Sequence, residues 1–128
     1  MSAFAPGRPI AKKYTCDGAN VAPPVRFHAG GGQRPAAYAI VMTDPDAPGG
    51  TFVHWTRWGT LEGRNSFDKV GYSGPCPPEG DKPHHYVLSV YGLRRPLGLP
   101  RGAPAKSVFQ RISELAVATG RATGTYGR

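Results

Sequence analysis

The sequence predicts a single, mainly β domain with one peripheral helix near the C-terminal end. Gly and Pro together make up a quarter of the 128 residues, which favours short elements joined by turns over long helices. Three short runs of β-branched and aromatic residues are separated by turn-forming segments. Only one stretch has apolar residues at helical spacing. A chain of this length fits one domain, which we place over residues 1–128.

The first two strand candidates are joined by a stiff loop. Residues 36–43 form an apolar run that stops at 44–50, where two prolines and two glycines predict a turn. Residues 51–60 follow and are rich in Thr, Val and aromatic side chains. Large apolar side chains would lie on both faces of this strand, so we expect it inside the sheet. Strict alternation would place four of its side chains on one face: Phe52, His54, Thr56 and Trp58.

The second half of the chain contains the third strand and the helix. Residues 86–93 are the third apolar run, and the period of two extends one face back to His84. Residues 104–119 have helical spacing, with Pro104 suited to the first turn and Gly120 to the C-cap. Residues 62–83 contain no convincing element, and a loop of this length in a small domain usually has a function.

Polar side chains at the ends of the predicted strands are the candidates for chemistry. Asp44 and Asp46 alternate with prolines, either as turn residues that accept backbone N–H groups or as carboxylates of a site. His54 is either a satisfied core histidine or a ligand contact. The Gly- and Pro-rich residues 71–78 precede a His-His-Tyr segment that begins at His84, which predicts either an anion-binding corner or ordinary surface histidines.

The two cysteines, Cys16 and Cys76, lie 60 residues apart, which is neither a disulfide framework nor a metal-ligand spacing. The N-terminal residues are interrupted by Pro6 and Pro9, and the chain contains no apolar stretch near 18 residues, so we expect a cytoplasmic protein. In that compartment the cysteines would be free thiols, although a single bridge stays open from sequence.

Taken together, these segments resemble the phosphatidylethanolamine-binding protein family, in its bacterial and archaeal branch, often called Raf-kinase-inhibitor-like. The resemblance implies a large central antiparallel sheet flanked by a smaller sheet, a C-terminal helix, and an anion pocket at one end. His85 stands where many members have Arg, and the segment 59–63 is shorter than in relatives. The matching stretches, in the family's order, are 14–20 with Pro23 and Pro24, 44–48, His54 with Trp55, 63–67, 71–78 and 84–86.

The resemblance also implies the residues that line the pocket. We expect the two histidines and the tyrosine to donate hydrogen bonds to a phosphate-like anion or phospholipid head group, together with backbone amides near Gly74 and Cys76. Asp44 is expected to orient a neighbouring histidine and raise its pKa, or to accept from a ligand ammonium group. Carried over by motif, the lining residues are Asp44, His54, Gly74, Pro75, Pro77, His84 and Tyr86.

The family has no general catalytic activity, so we expect a binding protein, without cofactor or metal, that acts as a regulatory inhibitor of a kinase or protease. The alternative enzyme is a hydrolase that uses Cys76 or Ser73 with His84. A homodimer is a further alternative.

The net charge of +8 raises a second alternative, non-specific nucleic-acid binding, although no sequence-specific motif is present. Residues 94–128 hold seven of the sixteen Lys and Arg residues and a single acid, Glu114, so most of the excess charge lies there. We expect this basic surface to attract anionic ligands or membranes at long range, and the pocket segments to be nearly neutral.

Overall fold

A computed structural model describes residues 8–23, 35–60, 72–100 and 102–128. Its four strands form one antiparallel sheet in the order β2-β1-β3-β4, and one helix lies between the last two strands in sequence. The elements are β1 (Ala37–Asp44), β2 (Phe52–Thr60), β3 (His84–Leu93), α1 (Ala105–Leu115) and β4 (Ala116–Tyr126). No helix in these ranges is long and apolar enough to span a membrane.

The predicted mainly β fold with a central antiparallel sheet and a C-terminal helix is confirmed. The three predicted strands lie within two residues of their observed bounds. The expectation that the second strand lies inside the sheet is wrong for the described residues, because β2 pairs only with β1 and is an edge strand there. Every named strand in the described ranges belongs to the same sheet, and no smaller flanking sheet is seen there. The N-terminal segment adds an isolated bridge between Pro9 and Thr125. Residues 24–34 and 61–71, which include part of the shortened 59–63 segment, lie outside the described residues.

The prediction of a helix up to residue 119 is wrong, because α1 ends at Leu115 and β4 starts at the next residue. Ala116 is already extended, with φ −69° and ψ 130°. Thr119 lies opposite Tyr91 of β3, and Gly120, the expected C-cap, lies opposite Val90. Thr and Gly are weak helix formers, and pairing with β3 satisfies this segment's backbone groups, so the tertiary partner decides its structure.

The two faces of the sheet pack against different layers. On the helix face, Val108, Ile112 and Leu115 of α1 cover the small side chains of β1. Their i, i+4, i+7 spacing is what makes one side of α1 apolar. On the opposite face, a cluster of large side chains packs with the N-terminal segment and the 72–78 loop: Tyr38, Ile40, Met42, Trp55, Tyr72, Tyr86, Leu88 and Val90.

A β-bulge in β2 changes the predicted alternation of that strand. Met42 pairs with Trp55 and Thr43 pairs with Val53, so His54 has no partner on β1. The extra residue turns His54 towards the face that carries Tyr86, with the ring centroids 5.4 Å apart. The expectation that His54 shares a face with Trp58 is therefore wrong, because Trp58 packs in the helix-side cluster.

The two cysteines form a disulfide, with Cα atoms 5.4 Å apart, which corrects the expectation of free thiols. The bridge joins the N-terminal segment to the loop before β3. The backbone N–H of Cys16 also donates to the carbonyl of Pro75 at 3.1 Å. These contacts tether the loop at residues 72–78 to the body of the protein.

Candidate functional site

One end of the sheet gathers the polar side chains that the sequence places at strand ends. β1 ends at Asp44, β3 begins at His84, and β2 carries His54 near its start. Because the strands are antiparallel neighbours in the order β2-β1-β3, these ends meet at the same edge. Tyr86, two residues into β3, lies between the two histidine rings, 5.4 Å from His54 and 6.4 Å from His84.

Asp44 and His84 form a buried pair at this edge. Nδ1 of His84 lies 2.7 Å from Oδ2 of Asp44, and the two side chains are 6% and 4% exposed. The other carboxylate oxygen of Asp44 accepts the backbone N–H of Asp46 at 2.8 Å. The contact to Asp46 confirms the turn interpretation of the motif. The other oxygen orients a histidine, and the interpretation of the carboxylates as part of a site stays a prediction. The hydrogen bond to Asp44 raises the pKa of His84.

The second ring nitrogen of His84 is also held by a carboxylate. Nε2 lies 3.1 Å from Oδ2 of Asp81, three residues earlier in the chain. A carboxylate oxygen accepts hydrogen bonds, so two such partners require a proton on each nitrogen. Both carboxylates therefore favour the imidazolium form, and both contacts raise the pKa of His84.

His54 is held by a carbonyl rather than a carboxylate. Its Nδ1 donates to the backbone oxygen of Ser73 at 2.7 Å, which fixes the Nδ1–H tautomer of the neutral ring. Burial lowers the pKa of His54, more than the Ser73 contact and the charge of Asp44 raise it. The neutral ring presents an unprotonated Nε2, so the expectation that His54 donates to a ligand holds only when the ring takes up a second proton.

Tyr86 is the most buried polar side chain of the group. Its hydroxyl makes no hydrogen bond of normal geometry among the described residues, although the residue is 0% exposed; the carboxylate of Asp44 is near enough to act on it and to help raise its pKa. Burial raises the pKa of Tyr86, and the charge of Asp44 adds to the shift, so the phenol stays protonated at neutral pH. A buried, unpaired hydroxyl costs about 1–3 kcal/mol unless a ligand satisfies it.

The 72–78 loop is fixed by contacts to the N-terminal segment. The backbone N–H of Gly74 donates to Oδ1 of Asn20 at 2.9 Å, and a Cβ at Gly74 would collide with the Tyr14 carbonyl. The Gly74 amide is thus occupied by Asn20, and the expectation that backbone amides near Gly74 and Cys76 contact the anion stays a prediction. The carbonyl of Pro75 accepts from Cys16, and the carbonyl of Pro77 accepts from Arg128 at 3.5 Å. The carbonyls of both prolines are thus used within the protein, and their expected place in the pocket lining stays a prediction.

A second Asp–His pair lies on the rim of the site. Oδ2 of Asp46 accepts hydrogen bonds from both the backbone N–H and Nδ1 of His85, each at 2.7 Å. The backbone contact is the main reason why the pKa of Asp46 is lowered. His85 thus has an acidic partner of its own.

Sequence reasoning missed the contacts of Asp81 and Ser73. Asp81 lies three residues before a histidine in a Gly-Asp-Lys-Pro turn, and this spacing is the signal that could have indicated a side-chain contact. The carbonyl of Ser73 left no signal, because any residue type supplies a backbone oxygen.

The structure resembles two solved proteins over nearly its whole length. One is described as a phosphatidylethanolamine-binding protein homologue from Chlamydia trachomatis, with a TM-score of 0.84, 28% identity, and coverage of 100% of this chain and 95% of that one. The other is E. coli YbcL, described as a member of the mammalian PEBP family, with a TM-score of 0.79, 25% identity, and coverage of 99% and 95%.

Sequence relatives and a family profile lead to the same family. A UPF0098 protein of Pyrococcus horikoshii is 34% identical over 99% of this chain and 75% of its own length. A UPF0098 protein of Aquifex aeolicus is 36% identical over 98% of this chain and 85% of its own length. The profile described as phosphatidylethanolamine-binding protein matches residues 1–127. The chain therefore belongs to the phosphatidylethanolamine-binding protein family.

Proposed function

We propose that this protein binds a small phosphate-type anion, free or as part of a phospho-head group, at the edge of the sheet between His54, Tyr86 and His84. The observation that carries the proposal is the hydroxyl of Tyr86, which is buried and unpaired among the described residues. An anionic oxygen would satisfy this donor and remove the cost of leaving it unpaired.

The groups around Tyr86 suit either a monoprotonated phosphate or a fully ionised phosphate that binds together with a proton. A protonated His84 places a positive charge next to the phenol, which offsets the charge of one of its two carboxylate partners, Asp44 and Asp81. Neutral His54 supplies an acceptor at Nε2, which suits the P–OH group of a monoprotonated phosphate. If the ligand is fully ionised, His54 must take up a proton to become a donor. In both cases the ligand would contact the Tyr86 hydroxyl, the His84 ring once a carboxylate releases one of its N–H groups, and one protonation-dependent group, His54.

We propose a binding role rather than catalysis. The alternative hydrolase that uses Cys76 lacks its nucleophile while the sulfur is bonded to Cys16. Inhibition of a kinase or protease, a homodimer and membrane attraction through the basic C-terminal region stay predictions. So does the cytoplasmic location; the disulfide is the observation that opposes it, since such bridges are typical of oxidising compartments.

Calorimetric titration with inorganic phosphate tests the proposal. We expect His84→Ala and Tyr86→Phe each to weaken binding by roughly tenfold or more, the effect of losing one hydrogen bond to a charged group. Tyr86→Phe removes an unpaired buried hydroxyl, so its unfolding free energy should not fall below that of the wild type. This separates lost binding from lost folding.

His85→Ala is the matched control, because it removes an adjacent histidine whose ring pairs with Asp46 on the rim. Its phosphate affinity should equal that of the wild type. Wild-type affinity in both His84→Ala and Tyr86→Phe, or no saturable binding to the wild type, would contradict the proposed function.

A further inference from the structure

The imidazole of His84 has no free donor in this structure. An imidazole has two ring nitrogens, and here Nδ1 faces Asp44 at 2.7 Å while Nε2 faces Asp81 at 3.1 Å. A ligand anion that accepts a hydrogen bond from His84 must therefore displace one of the two carboxylates or share its N–H group.

The two carboxylates differ in how easily they can leave. Asp44 is 4% exposed and also accepts the backbone N–H of Asp46, so moving it would break two hydrogen bonds in the interior. The side chain of Asp81 is 42% exposed, and His84 is the side-chain partner that the structure gives it. Water can replace that single contact at low cost.

The backbone at Asp81 allows the carboxylate to leave without moving the strand. Its N–H donates to the carbonyl of Pro78 at 3.3 Å in a turn that contains Gly80 with φ +87°. The turn lies before β3 begins at His84. Rotation of the Asp81 side chain towards solvent therefore leaves the pairing of β3 intact.

We propose that Asp81 is a built-in competitor of the ligand: its carboxylate occupies Nε2 of His84 in the empty site and must release it when an anion binds. The inference rests on the proposed function, because it assumes that phosphate binds and accepts the His84 Nε2–H hydrogen bond that Asp81 accepts when no phosphate is bound. Asp81 thus sets the affinity of the site, and it excludes anions too weakly bound to displace a carboxylate. His84 keeps Asp44 as an acidic partner whether or not Asp81 is displaced.

Calorimetric titration with inorganic phosphate, at constant pH 7 and constant salt, tests the role of Asp81 in three proteins. We expect Asp81→Ala to bind phosphate roughly fivefold more tightly than the wild type, which corresponds to removing one partly exposed ionic contact. Asp81→Asn, which keeps the size but loses the charge, should also bind more tightly. A gain in affinity cannot come from damage to the fold, so it separates competition from a structural role.

Glu79→Ala is the matched control, since it removes the same charge from the same loop. Glu79 is 79% exposed and contacts Arg128 at 3.3 Å. Its removal therefore measures how much phosphate affinity changes when the loop loses one negative charge away from His84. We expect its affinity to stay within about twofold of the wild type. A gain in Asp81→Ala no larger than in Glu79→Ala, or a loss of affinity, would overturn the inference.

The outcomes also separate this inference from the proposed function. If phosphate binds the wild type and is lost in Tyr86→Phe, but Asp81→Ala binds no more tightly, the site is real and the competitor role is wrong. If neither the wild type nor Asp81→Ala binds phosphate, the proposed function fails and the competitor role fails with it.

Discussion

The two Asp–His pairs of this protein have the same residue types and the same separation but different surroundings. Asp44 and His84 lie 2.7 Å apart with both side chains less than a tenth exposed. Asp46 and His85 also lie 2.7 Å apart, but their side chains are 43% and 59% exposed. Each pair joins the segment that ends β1 to the first residues of β3, and the two differ in burial and in the second carboxylate, Asp81, that contacts His84.

The difference shows why the inner pair is suited to a site and the outer pair is not. In the interior, a charge that loses its partner has no water to replace it, so the two groups hold each other in one geometry. On the rim, water competes with the partner and screens the charges, so the contact contributes little. The same contact is thus a fixed, charged donor in one place and a weak surface interaction in the other.

Removing the aspartate from each pair should give the largest difference in unfolding free energy between the inner and the outer pair. We expect Asp44→Ala to lower the unfolding free energy by about 3 kcal/mol or more, because it leaves a buried histidine without its main partner and a turn without its acceptor. Asp46→Ala should cost about 1 kcal/mol or less. Urea denaturation at neutral pH measures both values.

Asp44→Asn serves as a second variant, because it keeps the volume of the side chain and removes only the charge. It should lie between the wild type and Asp44→Ala. Equal losses for Asp44→Ala and Asp46→Ala would show that burial does not separate the two pairs.

The histidines should affect the unfolding free energy less than the Asp44→Ala substitution does. As pH rises, His84 should lower the unfolding free energy and His54 should raise it. The folded pKa of His84 is raised above 6.5, so its contribution is fully present below pH 6.5 and is lost as pH rises through the folded pKa. The folded pKa of His54 is lowered, so its contribution is present above pH 6.5 and is lost as pH falls through the folded pKa. Unfolding free energies measured across this range should therefore be highest near pH 6.5.

Two variants assign the two slopes. His84→Gln should remove the decrease in unfolding free energy above pH 6.5, and His54→Gln should remove the decrease below it. Each slope should be less than about 1.4 kcal/mol per pH unit, the limit for one titrating proton. A His84→Gln protein that keeps the full fall above pH 6.5 would show that the slope comes from another group.

The fold was predictable where local patterns and tertiary structure agree. The apolar runs that became β1, β2 and β3 are rich in strand-forming residues and are bounded by Gly and Pro, so their identity is local. The segment that became β4 has no such pattern, and only its pairing with β3 defines it. The bulge at His54 is also a property of strand pairing, which alternation along one strand cannot reveal.

For the site, the candidate residues could be predicted from the sequence, but their protonation states could not. Motif resemblance led to Asp44, His54, His84 and Tyr86, which the structure brings to one edge of the sheet. The protonation of each histidine could not be predicted, because it depends on a carbonyl and a carboxylate from the loop before β3. Cys16 and Cys76 illustrate the same limit, since spacing alone left their pairing open.

The most direct test of the account is a histidine-ring ¹⁵N NMR titration with inorganic phosphate. Before phosphate is added, His84 should show two protonated ring nitrogens at neutral pH, and His54 should show one. With added phosphate, the resonances of His54 and His84 should shift together and saturate at the same concentration, while those of His85 stay in place. Unchanged His54 and His84 resonances, or a shift of His85 alone, would contradict an anion site between the two inner histidines.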